Sequence, residues 1–158
     1  HSPSRRQRQM CIRDRLKTRV DEQITSKIDL IISPALGGLL VGYELARSIG
    51  CDFMFYERSG EQFELRRGFS INEQANVLFV EDVITTGKST NECLEKLNQM
   101  NINLLGIATI VDRSNEVLFD NFEIISLLKI DIPVYDSDNL PDDLEKIKPI
   151  KPGSRIIQ

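Results

Sequence analysis

Short apolar runs alternate with amphipathic stretches along most of this chain, and this alternation constrains the fold more than any other feature. The apolar runs are typical of buried strands and lie at residues 29–33, 53–56, 77–80, 104–111 and 122–128. The stretches between them predict a polar helix at residues 16–27, a helix that follows the turn at residues 34–38 and runs to about residue 49, and a helix after residue 88. Strands that alternate with helices form parallel sheets covered by helices on both faces. We therefore predict a single α/β domain with a mostly parallel sheet of about five strands flanked by helices.

Two segments depart from this pattern. Residues 57–69 contain Gly60 and Gly68 and have no sustained apolar period, which predicts a long loop or an exposed hairpin. Loops of this length are often functional. The tail from Asp131 is rich in proline and is predicted to follow the surface, with at most one short helix near residues 140–147.

The first 15 residues differ in composition from the rest of the chain. They hold five arginines, one aspartate and the single histidine. The run from Arg5 to Arg15 resembles the translation of a transposon-end adapter used to prepare DNA for sequencing. We therefore set residues 1–15 apart and predict the domain at residues 16–158. Two alternatives remain open for the segment, a basic arm that binds nucleic acid and an ordinary solvated tail.

The charge of the remaining chain excludes several classes of function. Without residues 1–15 the chain has 15 basic and 23 acidic residues, so its net charge is −8 rather than −4. An acidic domain is a poor nucleic-acid binder. No histidine remains, which excludes Ser-His-Asp hydrolysis, Cys-His catalysis and histidine-ligated zinc. Cys51 and Cys93 lack Cys-x-x-Cys spacing and are predicted to be buried, reduced thiols.

The sequence also bears on location. No apolar run approaches the length of about 20 residues that a membrane-spanning helix needs. The N-terminal residues lack the order of a secretory signal. We expect a cytoplasmic protein with neither a membrane nor nucleic acid as partner.

The most informative stretch runs from Val77 to Thr90. It places Glu81 and Asp82 at the end of a buried strand, followed by a loop of small and hydroxyl-bearing residues that opens a helix. Ligands of open α/β sheets collect at the carboxyl ends of strands, and a helix N-terminus offers unpaired N–H groups to a phosphate. Gly87 permits close backbone approach, and hydroxyls and a lysine add donors. Residues 85–89 are therefore predicted to hold a phosphate, and the two acids suit a sugar diol or a metal-bound sugar.

Two other interpretations of this stretch were considered. Gly87-Lys88-Ser89 invites a nucleoside-triphosphatase P-loop, but that motif needs a glycine five positions earlier, where this chain has Asp82. The second alternative is purely structural, with two solvated acids and with Thr86-Gly87 as a plain helix cap.

Several segments together resemble one known family. Glu81-Asp82-Val83-Ile84-Thr85-Thr86-Gly87 resembles the phosphoribosyl-pyrophosphate (PRPP) signature of the type I phosphoribosyltransferases, in the form found in their orotate-using members. Ser33-Pro34-Ala35-Leu36-Gly37-Gly38 is similar to the family's pyrophosphate-binding turn, and Ile110-Val111-Asp112-Arg113-Ser114 to its base-site strand end. Residues 57–69 resemble its mobile catalytic loop, and Lys151-Pro152-Gly153-Ser154-Arg155 the ending of many bacterial members. The resemblance covers residues 28–155.

The resemblance implies the type I phosphoribosyltransferase fold and a reaction in which orotate and PRPP, with Mg²⁺, give orotidine 5′-monophosphate and pyrophosphate. It places PRPP against Glu81, Asp82, Val83, Ile84, Thr85, Thr86, Gly87, Lys88, Ser89, Leu36, Gly37 and Gly38. Mg²⁺ is expected to arrive on PRPP rather than on protein ligands. Glu81 and Asp82 would meet the ribose hydroxyls, and Asp82 would stabilise the positive charge that develops on the ribose. Orotate reacts as its anion, so no general base is required.

For the base, the resemblance places Thr85 and Arg113 against orotate, because a guanidinium matches a carboxylate by a two-pronged hydrogen bond. The alternative for Arg113 is a surface arginine paired with Asp112 or Glu116. Purine phosphoribosyltransferase is an alternative function that would not need Arg113 as a carboxylate partner. A non-catalytic regulator that keeps the fold and senses nucleotides is the alternative from another class.

The mobile-loop segment implies further catalytic residues. Arg58, Arg66 and Arg67 are expected to close over the pyrophosphate, with a solvated hairpin as the alternative. In the family such a loop often reaches the partner subunit's site, which implies a homodimer. The segment contains neither lysine nor histidine, which many relatives carry there, so the residue that assists the leaving group stays open. The family also has a longer segment before the first strand, so we expect an N-terminally truncated chain with an incomplete lid over the base.

Overall fold

The computed structural model describes residues 5–60, 62–114, 119, 122–133, 135 and 139–148. Three helices and six strands lie in this part of the chain. In order they are α1 (Arg5–Gln23), β1 (Leu30–Pro34), α2 (Gly38–Ile49), β2 (Asp52–Ser59), β3 (Gln62–Leu65), β4 (Asn76–Ile84), α3 (Lys88–Leu97), β5 (Asn103–Asp112) and β6 (Ile124–Lys129).

The strands form a single sheet in the order β3-β2-β1-β4-β5-β6. All neighbouring strands are parallel except β2 and β3, which are antiparallel. The predicted α/β class with a mostly parallel sheet is confirmed. The sheet has one strand more than predicted because residues 57–69 form a hairpin, in which Arg58 lies opposite Phe63.

The order of the strands creates a crevice at one edge of the sheet. The chain passes from β1 through α2 to β2 on one side, and from β4 through α3 to β5 on the other. The connections that leave the adjacent strands β1 and β4 therefore run in opposite directions. Such a point of reversal, at the carboxyl ends of the strands, is where open α/β sheets bind ligands.

Alternating residues of the central strands supply the cores on the two faces of the sheet. In β4, Val77 and Phe79 pack into one cluster with Leu97 of α3. Leu78 and Val80 pack into the other cluster, which includes residues of α1 and α2. All four β4 side chains are fully buried, which explains why this strand is a continuous apolar run in the sequence.

Helix α2 ends as the sequence predicts. Gly50 follows its last residue with a φ of 84°, and the Gly50 N–H donates to the carbonyl of Ala46 at 2.8 Å. A glycine suits this left-handed position because it has no Cβ to clash. Cys93 is buried as predicted, whereas Cys51, just after this cap, is only partly buried. Burial still raises the pKa of the Cys51 thiol to about 11.

Helix α1 differs from the prediction at both ends. It begins at Arg5, inside the segment that was set apart, and it ends at Gln23 rather than at residue 27. Leu16 and Val20 are fully buried, and α1 packs against α2, β5 and β6. The polar Thr25 and Ser26 follow the helix, and such side chains compete with helical backbone hydrogen bonds. The adapter origin of residues 1–15 stays a prediction.

The described part of the tail contains turns at residues 142–146, where at most one short helix was predicted. The N–H of Leu144 and the N–H of Glu145 both donate to the carbonyl of Pro141. The predicted ending at residues 151–155 lies outside the described residues. Among the described helices, none combines the length and apolar character needed to cross a bilayer.

Candidate active site

The sequence predicts Glu81 and Asp82 at the C-terminal end of a buried strand. In the structure both residues lie within β4, before its last residue Ile84. β4 continues through Ile84, which pairs with Asp112 of β5. Successive side chains of a strand point to opposite faces. Glu81 and Asp82 therefore diverge: Glu81 contacts α3, and Asp82 lies against the turn that precedes α2.

Glu81 is held by a threonine that the sequence analysis did not single out. The hydroxyl of Thr90 donates to Glu81 Oε2, and Thr90 is only 1% exposed. Burial raises the pKa of Glu81 above its ordinary value; the hydrogen bond from Thr90 opposes this shift and the nearby Asp82 adds to it. Thr90 lies in the first turn of α3, so the contact ties this helix to the end of β4.

Replacing Glu81 by Gln is expected to stabilise the fold increasingly as the pH rises from about 4 to about 7. The pKa of Glu81 is raised in the folded chain, so the folded state binds more protons than the unfolded state around the ordinary value of 4.5. The contribution of Glu81 to stability is thus complete below that value and is lost as the pH rises through the folded-state pKa. A glutamine does not titrate and escapes this loss.

Urea denaturation of both chains across this pH range measures the effect, with the exposed Glu95→Gln as a control. The difference in unfolding free energy between Glu81→Gln and the unsubstituted chain should change with pH, and Glu95→Gln measures the effect of removing an exposed carboxylate. A difference that shifts in favour of the unsubstituted chain as the pH rises would contradict the burial of an ionisable Glu81.

Asp82 lies directly against the turn between β1 and α2. A Cβ atom built on Gly37 would lie 2.6 Å from Asp82 Oδ1, closer than real Cβ contacts allow. Asp82 Oδ1 also accepts a hydrogen bond from the N–H of Val83 at 2.9 Å. The backbone carbonyl of Asp82 accepts one from the buried hydroxyl of Thr109. The turn and the β4 end, which are far apart in sequence, thus form one site.

Two helix N-termini open at this site. α2 begins at Gly38 after the Gly37 turn, and α3 begins at Lys88 after Gly87, whose φ is 69°. Neither helix has an acidic residue in its first turn. Helix N-termini of this kind attract anions, so the crevice offers separate places for two phosphate groups.

Most of the residues predicted to bind PRPP in the loop before α3 are open to solvent. Thr85, Thr86 and Lys88 are exposed, Ser89 is half-buried and the backbone of Gly87 is buried. Leu36, in the turn before α2, is 83% exposed. The hydroxyls and the lysine of the loop are therefore accessible to a ligand at the mouth of the crevice.

The three arginines of the mobile-loop segment lie on the β2–β3 hairpin or just after it. Arg58 Nη2 is 3.0 Å from Glu92 Oε2 of α3, and its guanidinium lies 4.2 Å from the centre of the Phe63 ring. Arg67 binds Glu57 through two nitrogens, and these hydrogen bonds lower the pKa of Glu57. Arg66, which follows β3, is exposed. Closure of these side chains over pyrophosphate stays a prediction.

Arg113 lies just after the end of β5, beside the loop of residues 85–89 that is predicted to hold a phosphate. Its backbone N–H donates to the carbonyl of Ile84 at 2.8 Å, next to Thr85. Its Nε atom is buried and has no hydrogen-bond partner among the described residues. The carboxylate of Asp112 is bonded instead to Ser114 and lies 3.5 Å from Lys129. The alternative partner Glu116 is outside the described residues.

A cavity of about 210 Å³ adjoins Asp82 on the side of α2, and the sequence analysis missed it. Its walls include Leu40 and Ile110 as well as Ile12 of α1. Thr85 and Arg113 do not line it. A larger cavity of about 390 Å³ lies at the opposite edge of the sheet, near Asp29 and Cys51, away from the crevice.

The described residues contain no cluster of three or more His, Cys, Asp or Glu side chains that could hold a metal ion. The Asp82 carboxylate lies beside the Gly37 turn that precedes α2, and the Glu81 carboxylate contacts the first turn of α3. The site therefore combines two carboxylates with two helix N-termini, an arrangement suited to a sugar that carries more than one phosphate.

Comparison with known proteins identifies the class that this fold and site define. A sequence model of the phosphoribosyl transferase domain matches residues 6–144, so the chain belongs to the phosphoribosyl transferase family. The adenine phosphoribosyltransferase of Thermoanaerobacter pseudethanolicus has the same fold, with a TM-score of 0.64 and 20% identity over 76% of this chain and 79% of that chain. At this identity the likeness concerns the fold alone.

Within that family the curated relatives are more specific. The chain is 43% identical to the orotate phosphoribosyltransferase of Phenylobacterium zucineum, over 83% of this chain and 68% of that protein. It is also 43% identical to the orotate phosphoribosyltransferase of Methylorubrum populi, over 91% of this chain and 76% of that protein. The chain is therefore a member of the orotate phosphoribosyltransferases, and the family predicted from its motifs is confirmed.

Proposed function

We propose that this chain transfers the phosphoribosyl group of PRPP to orotate, giving orotidine 5′-monophosphate and pyrophosphate, as an enzyme of pyrimidine biosynthesis. The observation that carries the proposal is the crevice between β1 and β4. There the Asp82 carboxylate lies against Gly37, just before the N-terminus of α2, and β4 leads through residues 85–87 to the N-terminus of α3. Membership of the orotate phosphoribosyltransferases supports the choice of base.

The N-termini of α2 and α3 bind different phosphate groups of PRPP. The loop from Thr85 to Ser89 and the first turn of α3 take the 5′-phosphate, because backbone N–H groups and exposed hydroxyls converge there. The Gly37 turn and the start of α2 take the pyrophosphate. The ribose then lies between them, beside Asp82.

Asp82 acts on the sugar. Phosphoribosyl transfer develops positive charge on the ribose as the bond to pyrophosphate breaks, and a carboxylate already in place stabilises that charge without reorganisation. The N–H of Val83, which donates to Asp82 Oδ1, helps to hold the carboxylate in its orientation. Glu81 faces away from Asp82 and toward Thr90, so its effect on the sugar is smaller.

Mg²⁺ would supply charge neutralisation on the pyrophosphate. The ion would enter together with PRPP and keep several of its waters. The backbone of the residue 36–38 turn and the Asp82 carboxylate are the groups of this chain that would lie nearest to the ion. Hard oxygen donors of this kind fit Mg²⁺.

Thr85 and Arg113 bind the base. Arg113 is fixed beside Thr85 by its hydrogen bond to the Ile84 carbonyl, and its Nε is buried without a partner among the described residues. The carboxylate of orotate satisfies a guanidinium in this position by a charge-assisted pair of hydrogen bonds. Orotate enters as its anion, so the lack of histidine in residues 16–158 is no obstacle.

A thermal-shift panel tests the function and the base site together. Orotidine 5′-monophosphate, adenosine monophosphate and guanosine monophosphate are each added at the same concentration, about 100 times the dissociation constant of orotidine 5′-monophosphate, where that ligand stabilises the fold by about 2.7 kcal/mol. Orotidine 5′-monophosphate should give the largest shift. Arg113→Ala should weaken its binding about tenfold or more, since a hydrogen bond to a charged group contributes about 1.5 kcal/mol or more.

The exposed Arg47→Ala of α2 is the matched control and should leave the shift unchanged. An equal response to all three monophosphates would remove orotate as the substrate and leave only a phosphoribosyl site. A larger response to adenosine monophosphate would favour a purine phosphoribosyltransferase.

We propose further that the enzyme is a cytoplasmic homodimer that acts without nucleic acid or membrane. The β2–β3 hairpin carries Arg58 and Arg67 at the edge of the sheet, in the segment that resembles a loop shared between subunits. Exposed apolar side chains near the start of α2, Leu36, Leu40 and Tyr43, favour a contact with another chain. Light scattering should give twice the monomer mass, and a fully active monomer would contradict the proposal.

A further inference from the structure

The end of β5 forms a turn that is closed by side chains. Asp112 is the last residue of β5 and is only 3% exposed, as is Ser114. Asp112 Oδ1 accepts two hydrogen bonds from Ser114, one from its backbone N–H at 2.9 Å and one from its hydroxyl at 2.6 Å. The residue enclosed between them is Arg113.

The backbone around this turn is held on both sides by neighbouring strands. The Arg113 N–H donates to the Ile84 carbonyl on β4, and the Asp112 carbonyl accepts from the Ile130 N–H that follows β6, both at 2.8 Å. The sheet thus sets the position of the Arg113 Cα atom beside the phosphate loop. The backbone path from Arg113 to Ser114 depends on the turn that Asp112 and Ser114 make.

Both carboxylate oxygens of Asp112 have partners other than Arg113: Oδ1 accepts from Ser114, and Oδ2 lies near Lys129. Asp112 Oδ2 lies 3.5 Å from Lys129 Nζ, a side chain that is 68% exposed. Arg113 makes no described hydrogen bond to this carboxylate, and its Nε has no partner among the described residues. A buried acid directly before an arginine would be its simplest partner, yet here the Asp112 carboxylate bonds Ser114 and lies near Lys129 instead.

We propose that Asp112 and Ser114 are positioning residues that orient Arg113 toward the carboxylate of orotate and so set the affinity for the base without contacting it. The inference rests on the proposed function, in which Arg113 is the partner of that carboxylate. Buried hydrogen bonds lock the geometry of a binding side chain because they act at low local dielectric and restrict its backbone.

Isothermal titration of single variants with orotidine 5′-monophosphate and, separately, with PRPP and Mg²⁺ tests the inference. Ser114→Ala should raise the dissociation constant of orotidine 5′-monophosphate about fivefold, the equivalent of one hydrogen bond, and leave that of PRPP within about twofold. Asp112→Asn keeps an oxygen that accepts from Ser114 and should have a smaller effect than Asp112→Ala. Lys129→Gln removes the ion pair but not the turn and should bind both ligands normally.

A double-mutant cycle separates positioning from a merely structural role. In the Arg113→Ala background, Ser114→Ala should cause no further loss of affinity for orotidine 5′-monophosphate, because the side chain it positions is gone. Additive losses, or equal losses for both ligands, would overturn the inference. Thermal melts accompany each variant, and if Asp112→Ala does not fold, Ser114→Ala and Asp112→Asn still decide the question.

Different results would refute the orotate contact of Arg113 and the positioning role of Asp112 and Ser114. If the unsubstituted chain does not bind orotidine 5′-monophosphate, or if Arg113→Ala binds it as tightly as the unsubstituted chain, the proposed orotate contact is wrong and the inference falls with it. If Arg113→Ala weakens binding but Ser114→Ala does not, the orotate contact stands and only the positioning role is refuted.

Discussion

Replacing Asp82 by Asn is expected to lower kcat about 10²–10³-fold, the size of effect seen when one group that stabilises transition-state charge is removed. The substitution keeps the shape of the side chain and an oxygen that can accept from the Val83 N–H. It removes only the negative charge. Because that charge acts mainly when the ribose becomes cationic, the dissociation constant of PRPP should change far less than kcat.

Steady-state kinetics together with direct titration of PRPP measure the two effects. Asp142→Asn, an exposed acid in the tail, serves as the matched control and should leave both unchanged. Glu81→Gln should reduce kcat less than Asp82→Asn does, since Glu81 faces Thr90. Equal losses in kcat and in PRPP affinity for Asp82→Asn would show that the carboxylate binds the ground state and would remove its role in the transition state.

The second large effect is expected from Gly37→Ala, which should lower kcat/KM about 10²-fold without unfolding the chain. Gly37 has a φ of −58°, so an alanine fits the backbone there without strain. The new Cβ would lie 2.6 Å from Asp82 Oδ1 and would force the carboxylate to move. Displacement of a catalytic group by about 1 Å is enough to cause a loss of this size.

Gly106→Ala on β5 is the matched control, because its Cβ would meet Ile24 at an ordinary contact distance of 3.5 Å. Kinetics and thermal melts of both variants give the result. A Gly37→Ala variant with unchanged kcat/KM would show that Asp82 is free to move without consequence, and would separate the turn from the chemistry. A large fall in melting temperature would instead assign the glycine to stability.

Local patterns in the sequence were sufficient to predict the architecture. The run from Val77 to Val80 is apolar at every position, and only a strand covered on both faces requires that. Gly50 marks the end of α2 because a left-handed cap favours glycine. The predictions were wrong mainly at the boundaries of the elements. β2 and β4 are longer than predicted, because pairing with neighbouring strands sets where a strand ends. α1 ends earlier than predicted.

Local sequence patterns predicted fewer of the contacts in the candidate site. Glu81 and Asp82 are adjacent in sequence and were assigned to the same ribose, but the alternation of a strand directs them to different neighbours. Thr90 was overlooked because nothing in its local sequence marks the hydroxyl as a partner of Glu81. The contacts of Arg58 with Glu92 and of Arg67 with Glu57 depend on how the hairpin folds, which the sequence left open.

By itself, the sequence determined the α/β class, the mostly parallel sheet and the family, because these depend on periodicity and on motifs within short segments. The tertiary structure alone decided which segments meet. It placed the Gly37 turn against Asp82 and the Arg113 N–H against the Ile84 carbonyl. These contacts arise from strand order and register, which are global properties of the packed sheet and leave no signature in any single segment.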